Sequence, residues 1–151
     1  MPATSALTDD QIRHIREQCE ALVISYARAI DFRDYDHFLE LFTTDAQLDT
    51  GRPLKGLAAI RESLRHRPDE LRSRHVMSNL FVDVLDAENA RGIAYLTLYR
   101  HVGDDSVRFG PVPLDGPAAV GHYEDRYQRT AGGWRFAARK LQLAFRNPAK
   151  F

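Results

Sequence analysis

The sequence lacks several features that would assign it to a common functional class. Its only cysteine, Cys19, excludes an intramolecular disulfide and gives no metal-ligand spacing. Lys and Arg number 21, as do Asp and Glu, so no net basic charge attracts nucleic acid. No apolar run is long enough to cross a bilayer, and no basic region precedes an apolar one at the N-terminus. We therefore expect a cytoplasmic protein with neither nucleic acid nor membrane as a partner.

Motifs for metal, nucleotide or acyl chemistry are also missing. The six histidines never form a closely spaced ligand pair. There is no glycine-rich phosphate loop and no Gly-x-Ser-x-Gly nucleophile motif. We expect neither a metal nor a cofactor. The mixed-sign run at residues 61–74 is predicted to be a solvated face.

The 151 residues predict a single domain, spanning 1–151, in which helices precede strands. Thr8 and Gln11 form a capping-box pattern before a long amphipathic helix that contains Tyr26 and ends near Asp31. A shorter helix, capped by Asp34 or Asp36, is predicted to carry Phe38, Leu41 and Phe42, and a third to carry Leu57, Ile60 and Leu64.

From residue 72 the apolar period changes from helix to strand. In 74–85, one predicted face carries His75, Met77, Asn79 and Phe81. A partner strand follows at 90–101, and two final strands at 120–128 and 134–145 are joined by a turn at 131–133. We expect an α+β fold in which three N-terminal helices pack on a strongly curved, mainly antiparallel sheet and enclose a pocket.

Several segments together resemble the SnoaL-like branch of the NTF2-like superfamily. They are YARAID at 26–31, YDHFLELF at 35–42, RHVMSN at 74–79, YEDRY at 123–127 and GWRF at 133–136. Within this branch the pattern is similar to the scytalone dehydratase and bile-acid 7α-dehydratase families. The resemblance implies the NTF2-like cone, a cofactor-independent lyase, and an active site built from a helix aspartate, a strand histidine and a tyrosine. Asp31, His75 and Tyr26 occupy those places, and Arg139 matches a basic pocket residue.

The chemistry of these residue types agrees with that implication. A neutral imidazole at His75 can remove a proton from a carbon next to a carbonyl, and Asp31 can orient the ring and stabilise its charged form. Tyr26 can hydrogen-bond an enolate or protonate a leaving group. We expect Arg139, Asn79, Met77 and Phe81 to bind the substrate, a small hydrophobic metabolite with hydroxyl and carbonyl groups.

Other interpretations stay open on the sequence. An isomerase or cyclase would use the same pocket, and a noncatalytic member would bind a small ligand or serve as an assembly subunit. His75 alone would more often be a satisfied strand histidine, and Tyr26 a core residue. Because the strand at 74–85 is apolar on both faces, we also expect a homo-oligomer, first a dimer and second a trimer.

Overall fold

The computed structural model describes residues 6–104 and 110–151. Three helices precede most of a six-stranded sheet, as the sequence predicts. The elements are α1 (Asp9–Asp31), α2 (Tyr35–Glu40), β1 (Phe42–Asp49), β2 (Pro53–Lys55), α3 (Leu57–Arg65), β3 (Leu71–Val84), β4 (Asn89–Val102), β5 (Ala119–Thr130) and β6 (Gly133–Arg146). The α+β class and its three N-terminal helices are confirmed.

Local signals determine where α1 begins. The Thr8 side chain accepts a hydrogen bond from the Gln11 N–H at 3.2 Å, and the Gln11 side chain accepts one from the Thr8 N–H at 2.8 Å. This reciprocal capping box satisfies two backbone donors that a helix start leaves unpaired. The predicted start of the long helix is therefore confirmed.

The second helix is shorter than predicted. Asp34 caps it, but α2 ends at Glu40, and Phe42 opens β1 instead of continuing the helix. The Phe136 N–H donates to the Leu41 carbonyl at 2.8 Å, and β1 then runs parallel to β6. Pairing with a distant strand overrides the helical period of the apolar side chains here.

The sheet is mixed and open, with the strand order β2-β1-β6-β5-β4-β3. Among the strands of the described residues, only the β1 and β6 pair is parallel, and the last four strands form an antiparallel meander. The buried core lies between the inner face of the sheet and α1, whose apolar stripe includes Cys19, Val23 and Ile30. Among the described residues, no helix combines the length and apolarity needed to span a membrane.

A bulge in β3 makes the predicted face of this strand wrong from Asn79 onward. Asn79 has φ +49°, and the register with β4 shifts between Ser78 and Phe81. One extra residue reverses the direction of every later side chain. His75 and Met77 therefore point inward, whereas Asn79 is exposed and Phe81 is 62% exposed.

The bulge predicts a specific response to substitution at residue 79. Asn79→Val should lower the free energy of unfolding by about 1–2 kcal/mol, because a β-branched residue is strained at positive φ. Asn79→Gly, the matched control, should be at least as stable as the parent, since glycine adopts this conformation freely. Urea unfolding of the three proteins measures the difference, and equal stability of the valine and glycine variants would contradict the bulge.

Candidate active site

Asp31 is the last residue of α1, and its position depends on how the helix ends. Arg33 has φ +60°, and the Asp34 N–H donates to the Ala29 carbonyl at 2.9 Å. This is the long hydrogen bond of a Schellman C-cap. A carboxylate in the last turn is opposed by the helix dipole, so Asp31 requires compensating partners.

Strand β3 supplies those partners. Asp31 Oδ1 accepts from the Ser73 hydroxyl at 2.8 Å and contacts His75 Nδ1 at 2.6 Å, while Oδ2 accepts from the His75 backbone N–H at 2.7 Å. The Asp31 side chain is 5% exposed and that of His75 is 9% exposed. Three short contacts thus hold a buried carboxylate in one orientation.

The same contact determines the tautomer of the His75 imidazole. With Nδ1 against a carboxylate, the neutral ring carries its proton on Nδ1 and its lone pair on Nε2. Nε2 is therefore the nitrogen that can act on a ligand as a base. The structure thus brings Asp31 and His75 into contact, as the family resemblance implies.

Arg33 joins the end of α1 to the start of β3. Its guanidinium donates to the carbonyls of Pro68, Asp69 and Leu71 at 2.8, 3.0 and 2.7 Å. Three backbone carbonyls that precede or begin β3 are thereby held beside the C-terminus of α1. The Asp31 and His75 contact is thus supported by a second link between the same two elements.

His75 lines a cavity of about 270 Å³ between the sheet and the helices. One part of its wall is apolar and includes Ile30, Phe38, Leu48, Leu54, Leu64, Leu71, Leu96, Leu98 and Leu141. The other part is polar and includes Thr50, Arg52, Ser63, Arg67, Ser73, His75 and Arg100. The cavity is therefore amphipathic, with the histidine in its polar part.

Tyr26 also lines this cavity. Its ring lies edge-on to the His75 ring, with centroids 6.3 Å apart. Burial raises the pKa of the Tyr26 hydroxyl, and the nearby Arg139 charge only partly opposes that shift. The phenol is therefore neutral at physiological pH and can donate a hydrogen bond.

Arg139 does not line the cavity that holds His75, contrary to the prediction that it binds substrate. Its side chain is 0% exposed, and Nε and Nη2 donate to the two Asp125 oxygens at 2.8 and 3.0 Å. Its Cζ lies 3.9 Å from the Tyr123 ring centroid and 4.3 Å from that of Tyr26. Burial alone would lower the pKa of Arg139, but the Asp125 carboxylate raises it. Arg139 is therefore a buried cation of the core, and its guanidinium packs against the Tyr26 ring.

The remaining predicted binding residues also lie away from His75. Met77 shares the inner face of β3 with His75 but packs against the core beside the cavity. Phe81 lines a larger concavity of about 1030 Å³ on the outer face of the sheet. Asn79 is at the exposed bulge. For Asn79 and Phe81 the bulge is the physical reason, because it turns the later half of β3 away from the cavity.

Among the polar residues of the cavity that sequence reasoning missed are Ser73, Arg67 and Arg100. Arg67 belongs to the run that is predicted to be solvated, yet it is half-buried and donates to the Ser73 hydroxyl at 3.2 Å. Arg100 ends the inward face of β4, after Leu96 and Leu98. In the sequence, the charged residue at the end of this apolar strand face was the feature that could have identified Arg100 as part of a site.

Among the described residues, no group of three or more His, Cys, Asp or Glu side chains is arranged to hold a metal ion. Burial raises the pKa of the Cys19 thiol to about 12, so it is a protonated core residue. The ionisable side chains in the described lining of the cavity are thus histidine, arginine and tyrosine. Asp31 contacts the histidine but is not part of that lining.

Comparison with known families identifies the domain. The family model of the SnoaL-like domain matches residues 12–140. A search of curated proteins finds no match.

Solved structures share the fold. A candidate scytalone dehydratase from Novosphingobium aromaticivorans superposes with a TM-score of 0.77 at 19% identity, covering 93% of this chain and 91% of that one. Hexachlorocyclohexane dehydrochlorinase LinA-type3 from Novosphingobium barchaimii gives 0.76 at 16% identity, covering 93% and 94%. A candidate aromatic ring hydroxylase from N. aromaticivorans gives 0.70 at 26% identity, covering 88% and 91%. The same architecture therefore occurs in proteins named for different reactions.

The buried ion pair predicts a large stability effect at Arg139. Arg139→Met should lower the free energy of unfolding by about 3–5 kcal/mol, because Asp125 is left as an unpaired buried carboxylate. Removing both charges in Asp125→Leu/Arg139→Met should recover much of that loss. Urea unfolding measures both, and a single variant as stable as the parent would contradict a core role for Arg139.

Proposed function

Because this chain belongs to the SnoaL-like domain family, we propose that it is a cofactor-independent lyase that eliminates water from a small hydroxylated carbonyl compound. The observation that carries this proposal is the 2.6 Å contact between His75 Nδ1 and Asp31 at the wall of a cavity. A base must lie within hydrogen-bond reach of the proton it removes, and a ligand in this cavity can meet Nε2.

The reaction begins with proton removal by His75. Nε2 takes a proton from the carbon next to the carbonyl, and the electron pair of that C–H bond moves into the enolate. The imidazole becomes positively charged, and the Asp31 carboxylate stabilises it through Nδ1–H. The Asp31 side chain is held in place by the Ser73 hydroxyl and by the His75 backbone N–H.

Loss of the hydroxyl group completes the elimination. The enolate electrons form the new C=C bond as the neighbouring C–O bond breaks, and the departing oxygen takes the proton from His75 Nε2 to leave as water. His75 returns to its neutral form, so protons and electrons balance. The neutral Tyr26 hydroxyl donates a hydrogen bond to the carbonyl or to the departing oxygen. Apolar side chains of the cavity hold the hydrocarbon part of the substrate.

Replacement of the histidine tests this mechanism. His75→Ala should remain folded and lower kcat by about 10²- to 10⁴-fold, the usual contribution of a general base. His14→Ala is the matched control, since His14 is exposed on α1. Turnover is measured by the absorbance of the new conjugated double bond across a panel of hydroxylated ketones and acids. Unchanged turnover by folded His75→Ala would refute the dyad.

We also propose that the protein is a homodimer joined through the outer face of the sheet. Val76, Phe81, Ile93 and Tyr95 are exposed apolar side chains on β3 and β4. Beside them the outer groove carries charges of both signs from Asp83, Glu124, Arg91, Arg126 and Lys140. An apolar surface bordered by both signs of charge is able to complement a second copy of itself, which supports a twofold arrangement.

Light scattering after size exclusion tests the dimer. The parent protein should have twice the chain mass of 17.2 kDa. Phe81→Glu/Tyr95→Glu should be monomeric, because the introduced charges would be buried without partners. Phe145→Glu is the matched control, at an exposed residue near the end of β6. A parent protein of single-chain mass at micromolar concentration would contradict the proposal.

A further inference from the structure

Two arginines in the cavity have hydrogen-bond donors without partners. Arg67 follows α3 and Arg100 is on β4, and both line the cavity that contains His75. The Nε atom of each is buried and meets no acceptor within the part of the chain that the structure describes. Leaving a buried donor unpaired costs about 1–3 kcal/mol, more for a charged group. Arg139 Nη1 in the core is also unpaired among the described residues, so an unpaired nitrogen alone does not mark a site; what distinguishes Arg67 and Arg100 is that both side chains line one cavity, where a ligand can supply an acceptor to the guanidinium groups.

The register of the sheet places this pair beside the catalytic dyad. Arg100 is paired with Ser73 across β4 and β3, and Leu98 with His75. Arg67 reaches the same point, because its Nη2 donates to the Ser73 hydroxyl. Ser73 and His75 share one face of β3, and two residues of a strand span about 7 Å. A group bound by the arginines would therefore lie about one side-chain spacing from the imidazole.

The charge of the cavity wall favours an anion. Its charged lining residues are Arg52, Arg67 and Arg100, and no Asp or Glu is among the described residues of that lining. Asp31 accepts from Ser73 and His75, so Arg67 reaches its carboxylate only through the Ser73 hydroxyl. Burial lowers the pKa of Arg100, and the nearby Arg67 charge lowers it further. A bound anion would relieve both effects.

We propose that Arg67 and Arg100 bind a carboxylate of the substrate, so that the compound dehydrated at His75 is a small organic acid. The reaction part of this statement rests on the proposed function, whereas the binding part rests on the cavity alone. A guanidinium offers adjacent donors in a plane that matches the two oxygens of a carboxylate. At about 270 Å³ the cavity is below the usual range for drug-sized ligands. It suits one small ring or a short chain attached to the acid group.

Binding of benzoate and of benzamide tests the proposal without turnover. The two probes have the same shape, but only benzoate is charged. By calorimetry at low ionic strength, the parent protein should bind benzoate at least about tenfold more tightly than benzamide, since hydrogen bonds to a charged group contribute about 1.5–3 kcal/mol. Arg67→Met and Arg100→Met should each lose most of this preference.

Arg65→Met is the matched control, because Arg65 is exposed at the end of α3 and pairs with Glu62. It should keep the preference for benzoate. Equal binding of the two probes by the parent protein would overturn the proposal, whether or not the arginine variants fold. An undiminished preference in folded Arg67→Met and Arg100→Met would also overturn it.

The binding and turnover measurements together distinguish the proposed carboxylate site from the proposed lyase activity. Benzoate selectivity that depends on the arginines, together with turnover that is insensitive to His75→Ala, would support the anion site and refute the lyase. Turnover that requires His75, with no arginine-dependent selectivity for benzoate, would support the lyase and refute the acidic substrate.

Discussion

The hydrogen bond between Asp31 and His75 connects the C-terminus of α1 to β3, and the proposed chemistry depends on it. A carboxylate at this end of a helix is unfavourable unless donors surround it. The Ser73 hydroxyl, the His75 backbone N–H and the His75 ring nitrogen Nδ1 provide those contacts. The same contacts that stabilise the charge also fix the imidazole with Nε2 free for a ligand. The contacts that stabilise the end of the helix therefore also orient the proposed base.

A second buried charge supports this site from the opposite side. Arg139 pairs with Asp125, and its guanidinium stacks on Tyr26 and Tyr123. The Tyr127 hydroxyl donates to the same aspartate at 3.1 Å. This fully buried ion pair restricts the movement of the tyrosine rings that pack on it, because moving either charged side chain would leave the other charge without a partner in the core. Tyr26 is thereby held where its ring meets His75.

The sequence predicted the features that depend on local patterns. The capping box at Thr8, the period of α1 and the turn before β6 require only neighbouring residues, and all are present. The contact between Asp31 and His75 was predicted through the family resemblance. The errors have one physical origin, which is contact between distant segments. The bulge at Asn79 depends on the register with β4, the partner of Arg139 is on β5, and Arg67 meets Ser73 only after α3 has packed.

Nitrogen-15 NMR of the His75 ring reports which of its two nitrogens carries the proton. When the ring is neutral, Nδ1 should carry the proton and Nε2 should give the chemical shift of an unprotonated nitrogen. Asp31→Asn should alter this tautomer preference, since the carboxylate that favours Nδ1–H is lost. A neutral ring protonated at Nε2 in the parent protein would rule out His75 as the proposed base, because Nε2 would then offer no lone pair to a substrate in the cavity.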